Sequence, residues 1–456
     1  MRLFIILYAL CLTFVSVYST SLPPKCASVR VRKEISSISS TEWELMKSAL
    51  RKMHDDGHFN RISKLHVDNF ATIHGGPNFL PIHRVLTADF ENAARKYYPD
   101  FVLPYWDAAK DFQNPANSLV FTLPYTGGNG NPQNQNCISG GLQAGWNMTY
   151  PNNRCLTRIF NGPNNNINSW YSPEFMTSLL QTHKQYDDFR SNLEFTLHGA
   201  VHLGISGDMT SMASPNDFAF MLHHANIDRY WWKWQNIIPE NMMSYNGRNA
   251  KATSNVTLDD TLEGYPQYKA RDVMALGYGD MCFTYDDVTP SSNTNQNNNQ
   301  SSTSGSSSSD NDQAVDGLKS LDVSSLKRFF PGLANGKKNP NLFDMNIVRY
   351  KISVNKLITI TKTTKVTTHK GKPRKCYKKQ LSKRQSNDGG DDSSNDPTDN
   401  SSSQQGTKLL PVPQMPPDHW IEMHGYDKNQ VTSIVNNGIQ LVQTLNAQGY
   451  ISPYLQ

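Results

Sequence analysis

The chain has 456 residues and a formal net charge of +5. That length admits two or three domains, and so small a charge does not mark a nucleic-acid binder. Abundant Asn, Ser, Gly and Pro mean that part of the chain is unpacked, and no stretch after the first 19 residues reaches the ~20 apolar residues that a membrane span needs.

Residues 1–19, "MRLFIILYALCLTFVSVYS", combine one early Arg, an apolar run and small or β-branched residues, the pattern of a secretory signal cleaved after Ser19. A secreted protein, extracellular or associated with a cell wall, is expected. Loss of the signal leaves Cys26, Cys137, Cys155, Cys282 and Cys376, which should mostly pair in an oxidising compartment. Cys137 and Cys155 flank a Gly/Asn-rich loop and read as a local disulfide; the odd count leaves at least one thiol over. Sequons at Asn147, Asn255, Asn299 and Asn400 suit a secreted glycoprotein.

Residues 20–288 read as one globular core. "STEWELMKSALRKMHDD" opens on a Ser/Thr cap followed by Glu and then spaces apolar residues at helical intervals. "FNRISKLHVDNF", the run after His83, "LEFTLHGAVHLG" and "FMLHHANIDRYWWKWQ" also predict helices, whereas the Pro-broken "FVLPYWDAAKDF" predicts a loop. Residues 289–316 hold almost nothing apolar and read as a disordered linker. In 317–384 the alternation of "NIVRYKISVNKLITITKTTKV" predicts a small β-rich region. A second polar stretch covers 385–407, and the tail 408–456 ends in one amphipathic helix, "KNQVTSIVNNGIQLVQTLNAQ". The expected fold is mainly α, with a four-helix-bundle core followed by that β-rich region. The dibasic Lys383-Arg384 step precedes a polar run and offers a processing protease a cutting site; the plainer reading of these basic residues is a solvated linker.

Ten of the 13 histidines lie between residues 54 and 224, in two clusters. One holds His66, His74 and His83; the other holds His198, His202 and the pair His223-His224. His198 and His202, four apart on a helix, project from one face. A lone His on an apolar helix face is usually a hydrogen-bonded core residue, and His54, His58 and His183 keep that reading. Two clusters together point instead to a two-metal site built inside a bundle. An all-nitrogen first shell is unlike the usual zinc hydrolase or the di-iron carboxylate bundle, and copper heads the divalent affinity order for imidazole.

These strings resemble the tyrosinase and catechol oxidase family of type-3 dinuclear copper proteins. "IHGGPNFLPIHRVLTADFE" followed by "LPYWD" is similar to its first copper motif, and "LEFTLHGAVH" with "SPNDFAFMLHHANIDRYWWKW" to its second. The resemblance covers about 26–288, from "RVRKEI" to "CFTYD". It implies that His66, His74 and His83 bind one copper and His198, His202 and His224 the other, with His223 in packing. It also implies that Phe220 packs over the pair, that Asp217 and Asp228 hold imidazole N–H groups, that Glu91 fills an acidic position, and that Arg32 and Tyr285 pin the start of the core to its end. The sequence departs from the pattern at Ile82 (Trp in the family), Phe218 (Pro) and Thr72, where some relatives have a Cys cross-linked to a ligand. Gly199 replaces the Asn which, with a Glu near Glu194, is thought to hold a phenol-deprotonating water in many tyrosinases.

The function implied is oxidation of catechols, and with less support phenols, to o-quinones. Two copper ions cycle between Cu(I) and Cu(II), dioxygen is co-substrate, and Glu194 is the local candidate for a base. Gly199 tilts the balance towards diphenols. The alternatives are a haemocyanin-like dioxygen carrier and an inactive proenzyme shielded by the C-terminal region. The dibasic step and Asn/Ser-rich linkers fit a fungal-like secreted proenzyme that serves small phenolic partners.

Overall fold

The computed structural model describes residues 22–287, 307–334 and 409–455. They belong to one of the two compact units of the chain, residues 1–350 with 408–456. Short strands are β1 (Arg30–Arg32), β2 (Asn147–Met148), β3 (Arg154–Cys155), β4 (Thr261–Leu262), β5 (Tyr265–Lys269) and β6 (Phe283–Tyr285). Helices carry the architecture: α1 (Ser40–Asp55), α2 (His58–Ile73), α3 (Phe79–Ala94), α4 (Pro173–Thr182), α5 (Tyr186–Leu193), α6 (Gly199–Ile205) and α7 (Phe218–Gln235). Further on come α8 (Ser307–Leu318), α9 (Val323–Phe329), α10 (Pro331–Ala334), α11 (Asp418–Met423) and α12 (Lys428–Ala447).

Local signals explain where the helices begin. The Ser39 side chain accepts from the Glu42 N–H at the head of α1, and Asp217 does the same for Ala219 at the head of α7. All 18 residues of α7 are buried, and α3 is buried on nearly every face, so these two form the centre of the core. Between α5 and α6 the ladder widens into a π-turn over Glu194–His198, an irregularity common at functional sites. The 101–112 stretch is a loop, as its Pro104 predicts.

β1 and β6 pair in parallel, Arg30 with Phe283 and Arg32 with Tyr285, and Cys26 is disulfide-bonded to Cys282 beside them. The expected Arg32–Tyr285 contact is present at 3.2 Å. Cys137–Cys155 is also a disulfide, as its loop suggested. Behind the strand pair lies a buried charge network. Arg84 and the Tyr285 hydroxyl donate to Asp228, while Arg32 and the half-buried Arg30 donate to Glu91. Removing one carboxylate strands buried guanidinium charge. The Asp228→Ala protein should therefore lose about 3–5 kcal/mol of unfolding free energy, read as a lower urea midpoint; an unchanged midpoint would mean the network is not needed for stability.

Two expectations about the C-terminal half are corrected within the described residues. The linker was expected to run irregularly to residue 316, yet α8 begins at Ser307. Ala314 and Leu318 are buried, so tertiary packing overrides a composition that promised no core. The part of the β-rich region that is described, 317–334, is helical, with Asp322 capping α9. The alternating stretch at 346–366 and Cys376, Lys383 and Arg384 lie outside the described residues, as does the signal segment.

Candidate metal centre

Five helical segments deliver six imidazoles. His66 comes from α2 and His74 from its extended C-cap, just before Gly75, whose φ of +70° turns the chain. His83 comes from α3, His198 from the end of the π-turn, His202 from α6 and His224 from α7. In each triad, His66/His74/His83 and His198/His202/His224, one nitrogen per ring lies within 4.8 Å of the other two, and all six side chains are buried. Ring centroids are 5.1–5.5 Å apart in the first triad. The triads face each other, with His83 stacked on His224 at 4.3 Å.

The tautomers follow from the backbone. Nδ1 of His66, His74, His83, His198 and His202 lies 2.6–3.1 Å from the carbonyl oxygens of Met212, Phe70, Phe79, Glu194 and Met209 respectively. A carbonyl can only accept, so in the neutral ring Nδ1 carries the hydrogen and Nε2 the lone pair. Nε2 of His66, His83 and His198 has no partner although buried. Such orphaned acceptors are costly unless something binds them. Burial, and then the neighbouring imidazoles, hold His74, His83, His198 and His224 well below the usual imidazole range. His66 and His202 are pushed down to about 4, again chiefly by burial. Six neutral nitrogen donors in two facing triads fit a copper pair.

Other assigned residues fall as follows. Phe220 stacks on His224 at 4.0 Å and meets His66 edge-on at 5.3 Å. His223 lies parallel to His198 and gives no nitrogen to either triad. Asp217 and Asp228 do not hold imidazoles, contrary to expectation. Asp217 is gripped by Arg158 and Asp228 by Arg84 and Tyr285, because the buried guanidinium groups reach them first. Backbone carbonyls do the orienting instead.

Glu194 is buried beside the first triad. Its Oε1 accepts from the Gly75 N–H and the Tyr426 hydroxyl, both at 2.8 Å, and its Oε2 accepts from Arg190 at 2.7 Å. Burial raises its pKa, against the opposing pull of Arg190. A Cβ on Gly199 would sit 3.6 Å from the Trp420 indole nitrogen.

Trp420 and Tyr426 belong to the tail, which sequence reasoning did not bring to the site. α11 lies over the triads: the Trp420 ring is 5.8 Å from His202, and the His424 ring is 5.2 Å from His74 and 4.9 Å from Phe70. Trp420 and His424 are both buried, their rings 3.9 Å apart. Burial, with His202 and His66 nearby, lowers His424 to about 3. α12 follows, burying Val431, Val435, Leu441 and Val442. The ring-rich string "DHWIEMHGYD" was the available signal.

Residues 52–237 match the family model for the common central domain of tyrosinase. A tyrosinase of Aspergillus flavus is 31% identical over 300 residues, covering 59% of this chain and 82% of that protein. A tyrosinase-like protein of Diaporthe leptostromiformis is 30% identical over 253 residues, 48% of this chain and 63% of that one. Among solved structures, a polyphenol oxidase of Thermothelomyces thermophila aligns at 21% identity with a TM-score of 0.49, covering 57% of this chain and 90% of that one.

Proposed function

Because the chain belongs to the tyrosinase family of type-3 copper proteins, we propose that it oxidises o-diphenols to o-quinones and is held latent by its own tail. The observation that carries this reading is the pair of facing, buried histidine triads beneath Trp420 and His424. Nε2 of His66, His74 and His83 would hold one copper, and Nε2 of His198, His202 and His224 the other. A bound copper pair would supply the redox chemistry for an overall reaction in which two catechols and one dioxygen give two quinones and two waters.

The chain's own residues do the rest. Met212, Phe70, Phe79, Glu194 and Met209 fix ring orientation through their carbonyls, which keeps the lone pairs inward. Phe220 closes the wall behind His224 and keeps water from the rings. A phenolic substrate must approach where Trp420 and His424 now sit, so it enters when the tail leaves. Departure of Tyr426 frees one acceptor position on Glu194 Oε1; Arg190 and the Gly75 N–H keep theirs. That leaves a weak base for a monophenol, whose proton has a pKa of ~10, and diphenols are the better substrates. Lys383-Arg384 would be the processing step. A cut there leaves residues 385–456 attached by packing alone.

Secretion is supported by the two disulfides and by the exposed sequon asparagines Asn147 and Asn255. Among the described residues no helix is long and apolar enough to cross a membrane.

The test is oxygen uptake by copper-loaded protein with a catechol and its matching monophenol, before and after proteolytic activation. Uptake with catechol after activation is expected. Bound copper without uptake in either state would favour a dioxygen carrier. A Cβ at Gly199 would already be in van der Waals contact with the Trp420 indole, and an Asn adds an amide beyond it, so Gly199→Asn should speed tail opening, seen as faster hydrogen exchange in 418–426. Unchanged exchange would show that the indole does not rest on this position.

A further inference from the structure

Residues 307–334 stand in sequence between the histidine-bearing core and the tail, and the proposed reaction makes no use of them. Ala314, Leu318 and Leu321 are spaced four and three apart, which gives the segment one apolar face. That face meets more than the core. Leu318, Leu321 and Phe330 share an apolar cluster with Leu441, Leu445 and Tyr450 of the tail. A Cβ on Gly317 would lie 2.9 Å from the Tyr450 ring, so α8 meets the tail at backbone distance.

Polar contacts repeat the pairing. Gln448, the C-cap of α12, accepts from the Asp322 N–H at 2.9 Å and donates to the Asp322 carboxylate and the Ser325 hydroxyl. Asp322 also caps α9, so the end of one helix is tied to the start of the other. Arg328 donates to Gln440 of α12 at 2.6 Å. On the core side, the Gly332 N–H donates to Gln181 of α4, and the Tyr450 hydroxyl donates to the buried Glu174 of the same helix, both at 2.9 Å.

α12 connects these contacts to the mouth. Its 20 residues form a rod of about 30 Å. At the N-terminal end Val431 and Val435 pack with Phe195, Tyr426 and Ile421, the last of which belongs to α11. One end of the rod therefore seats the cover over the triads, and the other is gripped by residues 307–334.

We propose that residues 307–334 are a brace that holds the tail shut: their contacts with Gln440, Gln448 and Tyr450 set how often α11 leaves the metal centre. This rests on the reading that the tail withholds the centre from substrate. The cover then has two halves, separated in sequence by residues 335–408. A cut at Lys383-Arg384 divides the halves without undocking them, and release needs the brace to yield as well.

The experiment compares uncut, copper-loaded, full-length wild type with Gln448→Ala on the tail side and Gly317→Leu on the brace side. Gln448→Ala removes the bonds to Asp322 and Ser325. Gly317→Leu puts a side chain where the Tyr450 ring lies, while Leu favours the helix more than Gly does. Hydrogen exchange is read at 418–426, which holds neither substitution, and initial quinone formation from a catechol is read beside it. Each variant should speed exchange at 418–426 about tenfold, the effect of losing two or three ordinary hydrogen bonds, and raise the initial rate by a similar factor. Faster exchange confined to 440–450, with 418–426 unchanged in both variants, would overturn the brace and leave the proposed latency standing. Faster exchange at 418–426 with no gain in rate at equal copper content would uphold the brace and overturn the latency.

Discussion

Replacing Trp420 with alanine should raise the initial rate of the proposed catechol oxidation by copper-loaded, full-length protein at least tenfold. The indole is buried against the second triad and His424, and its Nε1 sits over Gly199. Truncating a buried Trp costs about 3–5 kcal/mol. Here the loss falls on the docked state, because the undocked tail leaves the side chain in water in either protein. At 3 kcal/mol the open fraction grows about a hundredfold, and turnover follows until the open form predominates. Remaining contacts from Tyr426 and α12 temper the gain. The check is quinone formation at matched copper content. A rate equal to wild type would mean that the tail is no barrier to substrate.

The copper-free protein should lose its fold steeply as the pH drops below 6.5. Eight imidazoles, the six in the triads, His223 and His424, are buried neutral, and burial is the first cause of each depressed pKa. The unfolded chain takes up protons near 6.5 while the folded one does not. Their stabilisation is therefore fully present above 6.5 and falls as the pH drops through it towards the folded values, about 4 for His66 and His202. Each group contributes at most about 1.4 kcal/mol per pH unit, so eight reach an upper bound of about 11 kcal/mol per unit. A domain's entire stability is of that order. Copper on Nε2 competes with the proton and should extend the folded range downward. Urea midpoints at pH 7.5, 6.5 and 5.5, with and without copper, provide the measurement. A metal-free midpoint that does not move from pH 7.5 to 5.5 would contradict the neutral-imidazole assignment.

The metal centre was legible because its ligands sit in two dense local patterns, a helical i, i+4 pair and a short run around Gly75-Gly76. The roles of Asp217 and Asp228 were not, since a buried carboxylate pairs with whichever cation the fold brings nearest, and Arg158 and Arg84 arrive from distant segments. Cys137–Cys155 could be seen across an 18-residue separation, whereas Cys26–Cys282 spans 256 and leaves no local trace. The π-turn at Glu194–His198 has no sequence signature distinct from a helix. α11 is only six residues long, too short for periodicity to reveal its face, so the partners of Trp420 and His424 emerge only from tertiary packing.

The fastening at Cys26–Cys282 and β1–β6 gives the core the topology of a ring. All six triad histidines lie inside it, and every residue of the tail that covers them lies beyond its clasp. The segment that builds the triads and the segment that lies over them are therefore separate stretches of sequence, although they pack into one compact unit. Changes of length outside the ring can alter the covering segment without redrawing the loop that holds the histidines.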